Sequence, residues 1–368
     1  MEDAVIGISK LVVGQAEEEA VLRVLRSGQL ALGPETNALE AEFSSRFGGV
    51  DCIAVTNGTV AITLALAAIG VGPGDEVITT AYSFLATIEP IIQLGAKPVF
   101  ADVELRTANI DVSKVEALIT ARTKAILPVH LYGRPVDLRS LRKIARERDI
   151  SIVEDACQAI GSSLDGVGAI GSSGTSVFSF YGSKNITCGE GGLVATDDPS
   201  ISERVRLLRN HGMIDTYRHK VVGYNGRLTD IQAALLRVQL GYLNEITKKR
   251  QENAAYYQEA ISNESIILPP TNDEEYRSCF HQFTLRLASE TARDHLQAWA
   301  SDHGIETRVY YPYSLSSHTV VESLGLATAC PNAEELARVV LSIPVRDSLA
   351  DEEKLQVANV LNSWIPPE

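Results

Sequence analysis

A lysine in a glycine-rich turn is the residue of this sequence best placed for covalent chemistry. Lys184 lies in SFYGSKNITCGEGG, after a short apolar run and among residues that favour a tight turn. Most lysines are solvated surface charges, but burial in such a turn lowers the pKa of the amine and allows it to form an imine. Lys184 is therefore the candidate imine-forming group.

An aspartate at the end of a predicted strand is the second candidate. Asp155 closes the apolar run SIVED and precedes the small residues of DACQA. The carboxyl ends of parallel strands face the ligand crevice, so this carboxylate is placed to pair with a protonated pyridine nitrogen and keep that ring an electron sink. A helix cap would use the same residue, and Asp155 alone does not separate the two uses.

A third candidate is the segment Asn57-Gly58-Thr59, between a predicted strand and a predicted helix. The free amides and the dipole of a helix start suit a phosphate. A simple N-cap by Asn57 or Thr59 is the commoner use of such residues, and the segment taken alone favours it.

Other patterns indicate less. Residues Gly166 to Gly171 spell GVGAIG, but no strong strand precedes this GxGxxG string and no helix follows, so we interpret it as a turn. A dinucleotide-binding oxidoreductase would rest on that string alone. The sequence has no pair of histidines at the i, i+4 spacing of zinc hydrolases and no GxSxG elbow, which disfavours metal and serine hydrolysis.

Composition and charge limit the partners. Of the 368 residues, 45% are hydrophobic and 22% charged, as in folded globular proteins. The net charge of -14 is spread along the chain, so we expect no nucleic-acid partner, and local amides must hold any phosphate-bearing ligand. The five cysteines lack CxxC or zinc-ligand spacing, and no signal-like start or membrane-length apolar stretch occurs, so we expect a cytoplasmic protein without a metal or a membrane partner.

The elements that must position these residues follow a parallel α/β rhythm. Between residues 50 and 155, short apolar runs such as CIAV, EVIT and SIVED alternate with helical patterns such as TVAITLALAAI. TSVFSF and GGLVAT predict further strands, and helices are predicted from Ser202 to Asn210 and from Thr229 onward. We place a boundary near residue 245, between a large domain of residues 1–245 and a small α+β domain of residues 246–368.

Several separated motifs occur in the order found in one family. They are NGTVA, TAYSFLAT, PVHLYGRPVDL, EDACQA, SFYGSKN, GEGG, RNHGM, GYNGRLTDIQAAL and RVYYP. With these motifs the chain resembles the DegT/DnrJ/EryC1/StrS aminotransferases, from SGQLALGP near residue 27 to RVYYP near residue 312. The resemblance implies the α/β fold of type I pyridoxal-phosphate (PLP) enzymes, like aspartate aminotransferase. That fold has a large domain around a mostly parallel seven-stranded sheet and a smaller C-terminal α+β domain.

The resemblance also implies roles for individual residues. Lys184 would hold PLP as a Schiff base, Asp155 would pair with the pyridine nitrogen, and Gln158 would meet the phenolic oxygen. The remaining cofactor contacts would be Phe84 on the ring, Gly58, Thr59 and Ser179 at the phosphate, and Asn225 at the phosphate from the neighbouring subunit. The last role implies a homodimer with shared active sites.

The reaction implied is transfer of an amino group from glutamate to a keto-sugar, a nucleotide-linked 3-keto or 4-keto hexose, by a ping-pong mechanism. Where many relatives read GYNYRM this chain has Gly226 and Leu228, and where many read VHYP it has Tyr310. These segments are expected near the sugar. The candidate substrate contacts are Arg227, His281, Arg308 and Tyr310.

Three alternatives remain open at this stage. The first is an aminotransferase for a cyclitol or another non-sugar ketone, and the second is a non-catalytic PLP-binding regulator of the same fold. The third is the oxidoreductase suggested by the GxGxxG string. A branch of the family that dehydrates sugars has histidine in place of the lysine, so Lys184 argues against that branch.

Overall fold

The structure, a computed structural model, describes residues 5–367. Its α-helices are α1 (Gln15–Ser27), α2 (Pro34–Arg46), α3 (Gly58–Ala68), α4 (Glu89–Gln93), α5 (Val112–Val115), α6 (Leu138–Arg148), α7 (Pro199–Arg209), α8 (Asp230–Ala260), α9 (Glu290–Asp302), α10 (Thr319–Ser323), α11 (Pro331–Val339) and α12 (Asp351–Ser363). Short 3-10 helices span Leu85–Thr87, Glu116–Leu118 and Leu131–Gly133.

The strands lie where the apolar runs predict them, with additional short strands between them. They are β1 (Asp51–Val55), β2 (Glu76–Thr80), β3 (Lys97–Ala101), β4 (Thr123–Leu127), β5 (Ser151–Asp155), β6 (Ser163–Leu164), β7 (Gly168–Ala169), β8 (Thr175–Ser179), β9 (Gly192–Thr196), β10 (Met213–Asp215), β11 (Arg218–His219), β12 (Tyr276–Arg277), β13 (Phe283–Arg286) and β14 (Val340–Ile343).

A seven-stranded sheet organises the fold, in the order β1-β9-β8-β5-β4-β2-β3. β9 runs antiparallel to β1 and β8, and the other neighbouring strands are parallel. The predicted α/β class and mostly parallel seven-stranded sheet are confirmed. Because β1, β8, β5, β4 and β2 run in one direction, their carboxyl ends share one edge, where ligands of such sheets collect.

Local sequence explains why the elements around that edge form. The residues of α3 are apolar almost throughout, so this helix is buried on most of its circumference against the sheet. β2 is buried along its whole length, as expected for a strand covered on both faces. α8 begins with a capping box in which Thr229 accepts from the backbone of Gln232 and the Gln232 side chain reaches back to Thr229.

A second apolar core packs around the C-terminal half of α8. This helix runs unbroken for 31 residues and passes through residue 245, where the sequence analysis places the domain boundary. The antiparallel pair β13 and β14 packs there with α9 and α12. Its largest fully buried side chains include Tyr257 and Phe283. The chain then returns to the first core, since Leu315, Val321 and Leu336 pack in the apolar cluster of the large sheet. This return carries residues 308–316 across the ligand edge.

The GVGAIG string forms the turn that the sequence predicts. Its first two residues lie in the turn of the β6–β7 hairpin, its middle forms β7, and Gly166, Gly168 and Gly171 have φ values of 69°, 90° and 96°. Residues with a Cβ rarely adopt such backbone angles, so these glycines allow the turn to form. Residues 172–174 then lead into β8 with no intervening helix, unlike a dinucleotide fingerprint.

Two kinds of feature are absent from residues 5–367. No helix there combines the length and the apolar character needed to cross a membrane. The same residues contain no group of three or more His, Cys, Asp or Glu side chains arranged to hold a metal ion.

Candidate active site

The first turn of α3 and the end of β8 form an anion cradle. Val55 of β1 and Ser179 of β8 both pair with Gly192 of β9, a register that brings Ser179 beside Gly58. A Cβ built on Gly58 would lie 2.9 Å from the Cβ of Ser179 and 2.9 Å from Cys157 Sγ, so only glycine leaves this space open. We call Gly58, Thr59 and Ser179 the anion cradle.

The N-cap predicted for this segment is present, and it does not use up the amides that an anion would need. Asn57 Oδ1 accepts from the third helical amide, Val60 N, at 2.9 Å. Within residues 5–367, the amides of Gly58 and Thr59 have no hydrogen-bond acceptor. The side chain of Asn57 therefore caps α3 and leaves two amides at its positive end for an anion.

Asp155 lies at the end of β5 as predicted and is only 4% exposed. Thr87 Oγ1 donates to its Oδ2 at 2.9 Å, and the Cys157 amide donates to its Oδ1 at 3.1 Å. Buried carboxylates need such donors. The two bonds hold Asp155 between the segment that follows β2 and the segment that follows β5.

Gln158 is 6% exposed, and its amide has a defined orientation. The backbone N–H of Tyr132 donates to Gln158 Oε1 at 2.8 Å, so the amide nitrogen must face the other way. Nε2 donates one hydrogen to the Tyr311 hydroxyl at 3.0 Å and keeps the second. Gln158 is thus a donor toward the site, as contact with a phenolic oxygen requires.

Lys184 lies in a turn after β8, closed by a bond from its N–H to Tyr181 O at 2.9 Å. Burial lowers the pKa of the Lys184 ammonium, while the nearby Cys157 and Asp155 act in the opposite direction. A lowered pKa increases the fraction of neutral amine, the form that attacks a carbonyl. The predicted turn is present, and Lys184 is half-buried in it.

Phe84 and Tyr311 border the same space. Phe84 is 58% exposed although Ser83 and Thr87, in the same segment, are buried. Its ring centroid lies 5.8 Å from that of Tyr311, the tyrosine whose hydroxyl meets Gln158. The sequence analysis selects Tyr310 of RVYYP as a contact and misses its neighbour Tyr311.

His281 lies near Lys184, in the segment before β13. Its Nδ1 is 3.0 Å from Asn185 Oδ1. Asn185 Nδ2 is buried without a partner among residues 5–367, so it is a donor still available to a ligand. Burial, followed by the charges of Lys184 and Arg250, holds the pKa of His281 well below its usual value. His281 is therefore neutral at pH 7.

The other predicted substrate residues are spread more widely. Tyr310 is half-buried, and its carbonyl accepts from the Tyr132 hydroxyl beside the site. Arg227 donates to Asn210 Oδ1 at 2.6 Å, next to the exposed Asn225. Arg308 is exposed and bound to Glu306, and the structure does not bring it to Lys184.

A cavity of about 390 Å³ opens at the Lys184 turn. It is lined by residues 9–12, 14 and 17, by residues 182–185 and by side chains of α8 that include Tyr242 and Arg250. Neither Asp155 nor Gln158 lines it, so it adjoins the site at the lysine. Its volume is in the range of small-molecule pockets.

These groups fit the cofactor that the sequence resemblance implies. The cradle at Gly58 suits a phosphate, the buried Asp155 carboxylate suits a protonated ring nitrogen, and the fixed Gln158 amide suits a phenolic oxygen. The amine of Lys184 and the exposed ring of Phe84 complete a set with one group for each part of PLP.

Comparisons with known proteins agree with this fit. A sequence profile of the DegT/DnrJ/EryC1/StrS aminotransferase family matches residues 12–362. The chain is 42% identical to the pleiotropic regulatory protein of Geobacillus stearothermophilus over 91% of this chain and 90% of that protein. It is 39% identical to the UDP-N-acetyl-3-dehydro-alpha-D-glucosamine 3-aminotransferase of Acidithiobacillus ferrooxidans, over 92% and 91% of the two chains.

A solved structure is similar over nearly the whole length. It is DesV of S. venezuelae in complex with a ketimine intermediate, with a TM-score of 0.90 and 38% identity. The similarity covers 95% of this chain and 94% of the other. An identity of 38% over nearly the whole length indicates a shared family as well as a shared fold.

Proposed function

Because this chain belongs to the DegT/DnrJ/EryC1/StrS aminotransferase family and is a PLP-dependent aminotransferase, we propose that it transfers an amino group from glutamate to a nucleotide-linked 3-keto or 4-keto hexose. The observation that carries the proposal is the meeting of Lys184, Asp155 and Gln158 with the anion cradle at one edge of the sheet. The name of the Acidithiobacillus relative supports a nucleotide-linked 3-keto sugar as acceptor.

The residues at the site would bind and polarise the cofactor. When bound, PLP withdraws electrons from the carbon that carries the transferred amino group and makes its proton acidic. Asp155, held by Thr87 and by the Cys157 amide, would keep the pyridine nitrogen protonated. Gln158 Nε2 would donate to the ring oxygen, the anion cradle would hold the phosphate, and Phe84 would cover one ring face.

Lys184 would have two tasks. It would hold the cofactor as an imine, and once an incoming amine displaces it, its neutral Nζ would take the proton from the donor Cα. Burial favours that neutral form because it lowers the pKa of the ammonium. The acceptor would use the same groups in the reverse order after the keto acid leaves, which gives ping-pong kinetics.

Substrate contacts follow from position. His281 and Tyr310 border the site, so we assign both to the substrate. The cavity beside Lys184 supplies room for a ligand larger than an amino acid. Arg227 and Arg308 do not reach the site within one chain, and we propose that they contact the substrate only in the assembled enzyme.

We propose a homodimer in which Asn225 of a second copy completes the phosphate site. The segment around Asn225 exposes apolar side chains, with Tyr217 at 90% and Val222 at 95% exposure and Tyr224 at 39%. Exposed apolar groups in one segment are typical of an interface. Asn225 is itself exposed, so it could reach a neighbouring chain.

The visible spectrum of purified protein with PLP, before and after glutamate, tests the proposal. Wild type should show the absorption of a lysine-bound imine, and glutamate should convert it to that of the amine form. Lys184→Ala should show neither change. A non-catalytic regulator would keep the imine absorption after glutamate, and a protein that binds a nicotinamide cofactor and no PLP would contradict the assignment.

The acceptor is then tested with the amine form. Nucleotide-linked 3-keto and 4-keto hexoses and a cyclitol ketone would be added separately, and the return of the imine absorption would be followed together with product mass. Turnover of a keto-hexose supports the proposal. Turnover of the cyclitol ketone alone would favour the non-sugar alternative.

A further inference from the structure

Tyr311 is held against the site by its backbone. The Tyr82 hydroxyl accepts from Tyr311 N at 2.6 Å and donates to Tyr311 O at 2.8 Å, so one buried phenol fixes both backbone groups. Leu315 N also donates to Ala81 O at 2.7 Å, and this bond ties the same segment to the end of β2. These bonds fix the backbone of Tyr311, whose side chain lies beside Phe84 and Gln158.

The hydrogen bonds of Gln158 determine what the Tyr311 hydroxyl can do. Since Tyr132 N–H occupies Gln158 Oε1, the contact between Gln158 and Tyr311 has Nε2 as donor and the phenol oxygen as acceptor. The hydroxyl hydrogen of Tyr311 must then point elsewhere. Among residues 5–367 its only hydrogen bond is the one it accepts from Gln158, so its own hydrogen has no acceptor there and is free for a ligand at the site.

We propose that Tyr311 is a further catalytic residue, whose hydroxyl donates together with Gln158 Nε2 to the phenolic oxygen of bound PLP. The two donor atoms lie 3.0 Å apart, close enough for one oxygen to accept from both. Paired donors suit an anionic oxygen, because bonds to charged acceptors are the stronger ones. The phenol also stays protonated in the working range, since burial, followed by the charge of Asp155, raises the pKa of Tyr311.

This inference rests on the proposed role of Lys184 as the residue that holds PLP. When the imine nitrogen loses its proton, the phenolic oxygen keeps a negative charge that the imine proton no longer offsets. A donor to that oxygen stabilises the deprotonated form and lowers the pKa of the imine. Loss of the Tyr311 hydroxyl should therefore raise that pKa, an effect on the cofactor that needs no substrate.

Spectrophotometric titration of the holoenzyme tests the inference. Tyr311→Phe should raise the pH midpoint of the imine absorption by about 1 unit, the size expected for one hydrogen bond to a charged group. Tyr313→Phe removes a phenol from the same segment that is 65% exposed, so it should titrate like wild type. An unchanged midpoint in Tyr311→Phe overturns the inference.

Repeating the titration in a variant that lacks the Gln158 amide distinguishes direct donation by the Tyr311 hydroxyl from an effect transmitted through Gln158. In Gln158→Leu, the Tyr311→Phe change should still raise the midpoint, because the hydroxyl acts on the oxygen itself. If it has no effect there, Tyr311 only positions Gln158 and the inference is wrong. If wild type shows no imine absorption, the proposed role of Lys184 is wrong and the inference about Tyr311 fails with it. If wild type shows the absorption and Tyr311→Phe leaves the midpoint unchanged, only the inference about Tyr311 is wrong.

Discussion

Thr87 Oγ1 donates to Asp155 Oδ2 at 2.9 Å, and this bond joins the segment after β2 to the end of β5. Both residues are buried, at 2% and 4% exposure, so neither group exchanges its partner for water. Ser83 Oγ lies 3.0 Å from Thr87 Oγ1 and continues the chain of hydroxyls. The carboxylate expected to face the cofactor nitrogen is thus positioned by a residue from a different strand end.

Replacing Thr87 should reduce catalysis more than it reduces stability. Thr87→Val keeps the shape but removes the donor, so Asp155 keeps only the Cys157 amide. We expect kcat/KM to fall about 10-fold, equivalent to about 1.4 kcal/mol, from the loss of one charge-assisted bond. Steady-state kinetics with glutamate measure this.

Thr175→Val is the matched control for that change. Thr175 is buried at the start of β8, and its hydroxyl meets Thr196 and no other group in the part of the chain that the structure describes. It should lose a similar amount of stability and keep its kcat/KM. Equal losses of activity in both variants would remove the positioning role of Thr87.

Filling the anion cradle should weaken cofactor binding. Gly58→Ala places a Cβ 2.9 Å from Ser179 Cβ and from Cys157 Sγ, a close contact that forces the cradle to shift. Overpacking of this kind costs about 1–3 kcal/mol, so we expect the Kd for PLP to rise about 10-fold or more. A Cβ at Gly72 would meet no atom of residues 5–367 within 4 Å, so Gly72→Ala should bind PLP normally. Normal PLP affinity in Gly58→Ala would place the phosphate elsewhere.

The neutral His281 predicts an acid-sensitive fold. Burial, then Lys184 and Arg250, lower the folded-state pKa, whereas an unfolded histidine titrates near pH 6.5. Below that pH the unfolded chain binds the extra proton, so stability is present above about pH 6.5 and is lost as the pH falls toward the folded-state value.

Unfolding of the cofactor-free protein measures the effect. Between pH 7 and pH 5.5, the free energy of unfolding of wild type should fall by about 1 kcal/mol more than that of His281→Gln, which has no imidazole at that position. His303 is exposed, and His303→Gln should follow wild type over the same range. If the free energies of unfolding of wild type and of His281→Gln fell equally with pH, the fold would tolerate a charged imidazole at position 281.

Mixing two defective variants tests the shared site. Lys184→Ala lacks the imine-forming amine, and Asn225→Ala lacks the phosphate contact proposed to come from the other chain. A refolded mixture should contain heterodimers with one intact site, which restores roughly a quarter of wild-type activity relative to Lys184→Ala alone. No recovery above the average of the two separate variants would place Asn225 at its own chain's site or at none.

Much of the fold follows from patterns that local physics determines. The runs CIAV, EVIT, SIVED and TSVFSF each form a strand, and the helix expected to begin at Thr229 has Thr229 as its N-cap. The turn role of the GVGAIG glycines also follows from context. These features depend on a few neighbouring residues, and so the sequence shows them directly.

Several parts of the site could not be predicted this way. Tyr310 and Tyr311 are adjacent in RVYYP, and only the bonds from Tyr82 to the backbone and from Gln158 to the phenol decide which hydroxyl enters the site. Thr87 gave no signal in TAYSFLAT, because its partner is 68 residues away in the chain. Arg308 was a candidate contact, but it is exposed and pairs with Glu306 rather than lying beside Lys184.

The sequence by itself determined the strands of the large sheet, the turn that holds Lys184 and the carboxylate at the end of β5, since each is encoded in a short contiguous segment, and the family resemblance, which rests on several such segments. Only the tertiary structure decided which donors meet which acceptors. The orientation of Gln158 depends on Tyr132, and that of Asp155 on Thr87. Hydrogen bonds act over about 3 Å, and chain segments far apart in sequence come that close only when the sheet and the returning segment pack together.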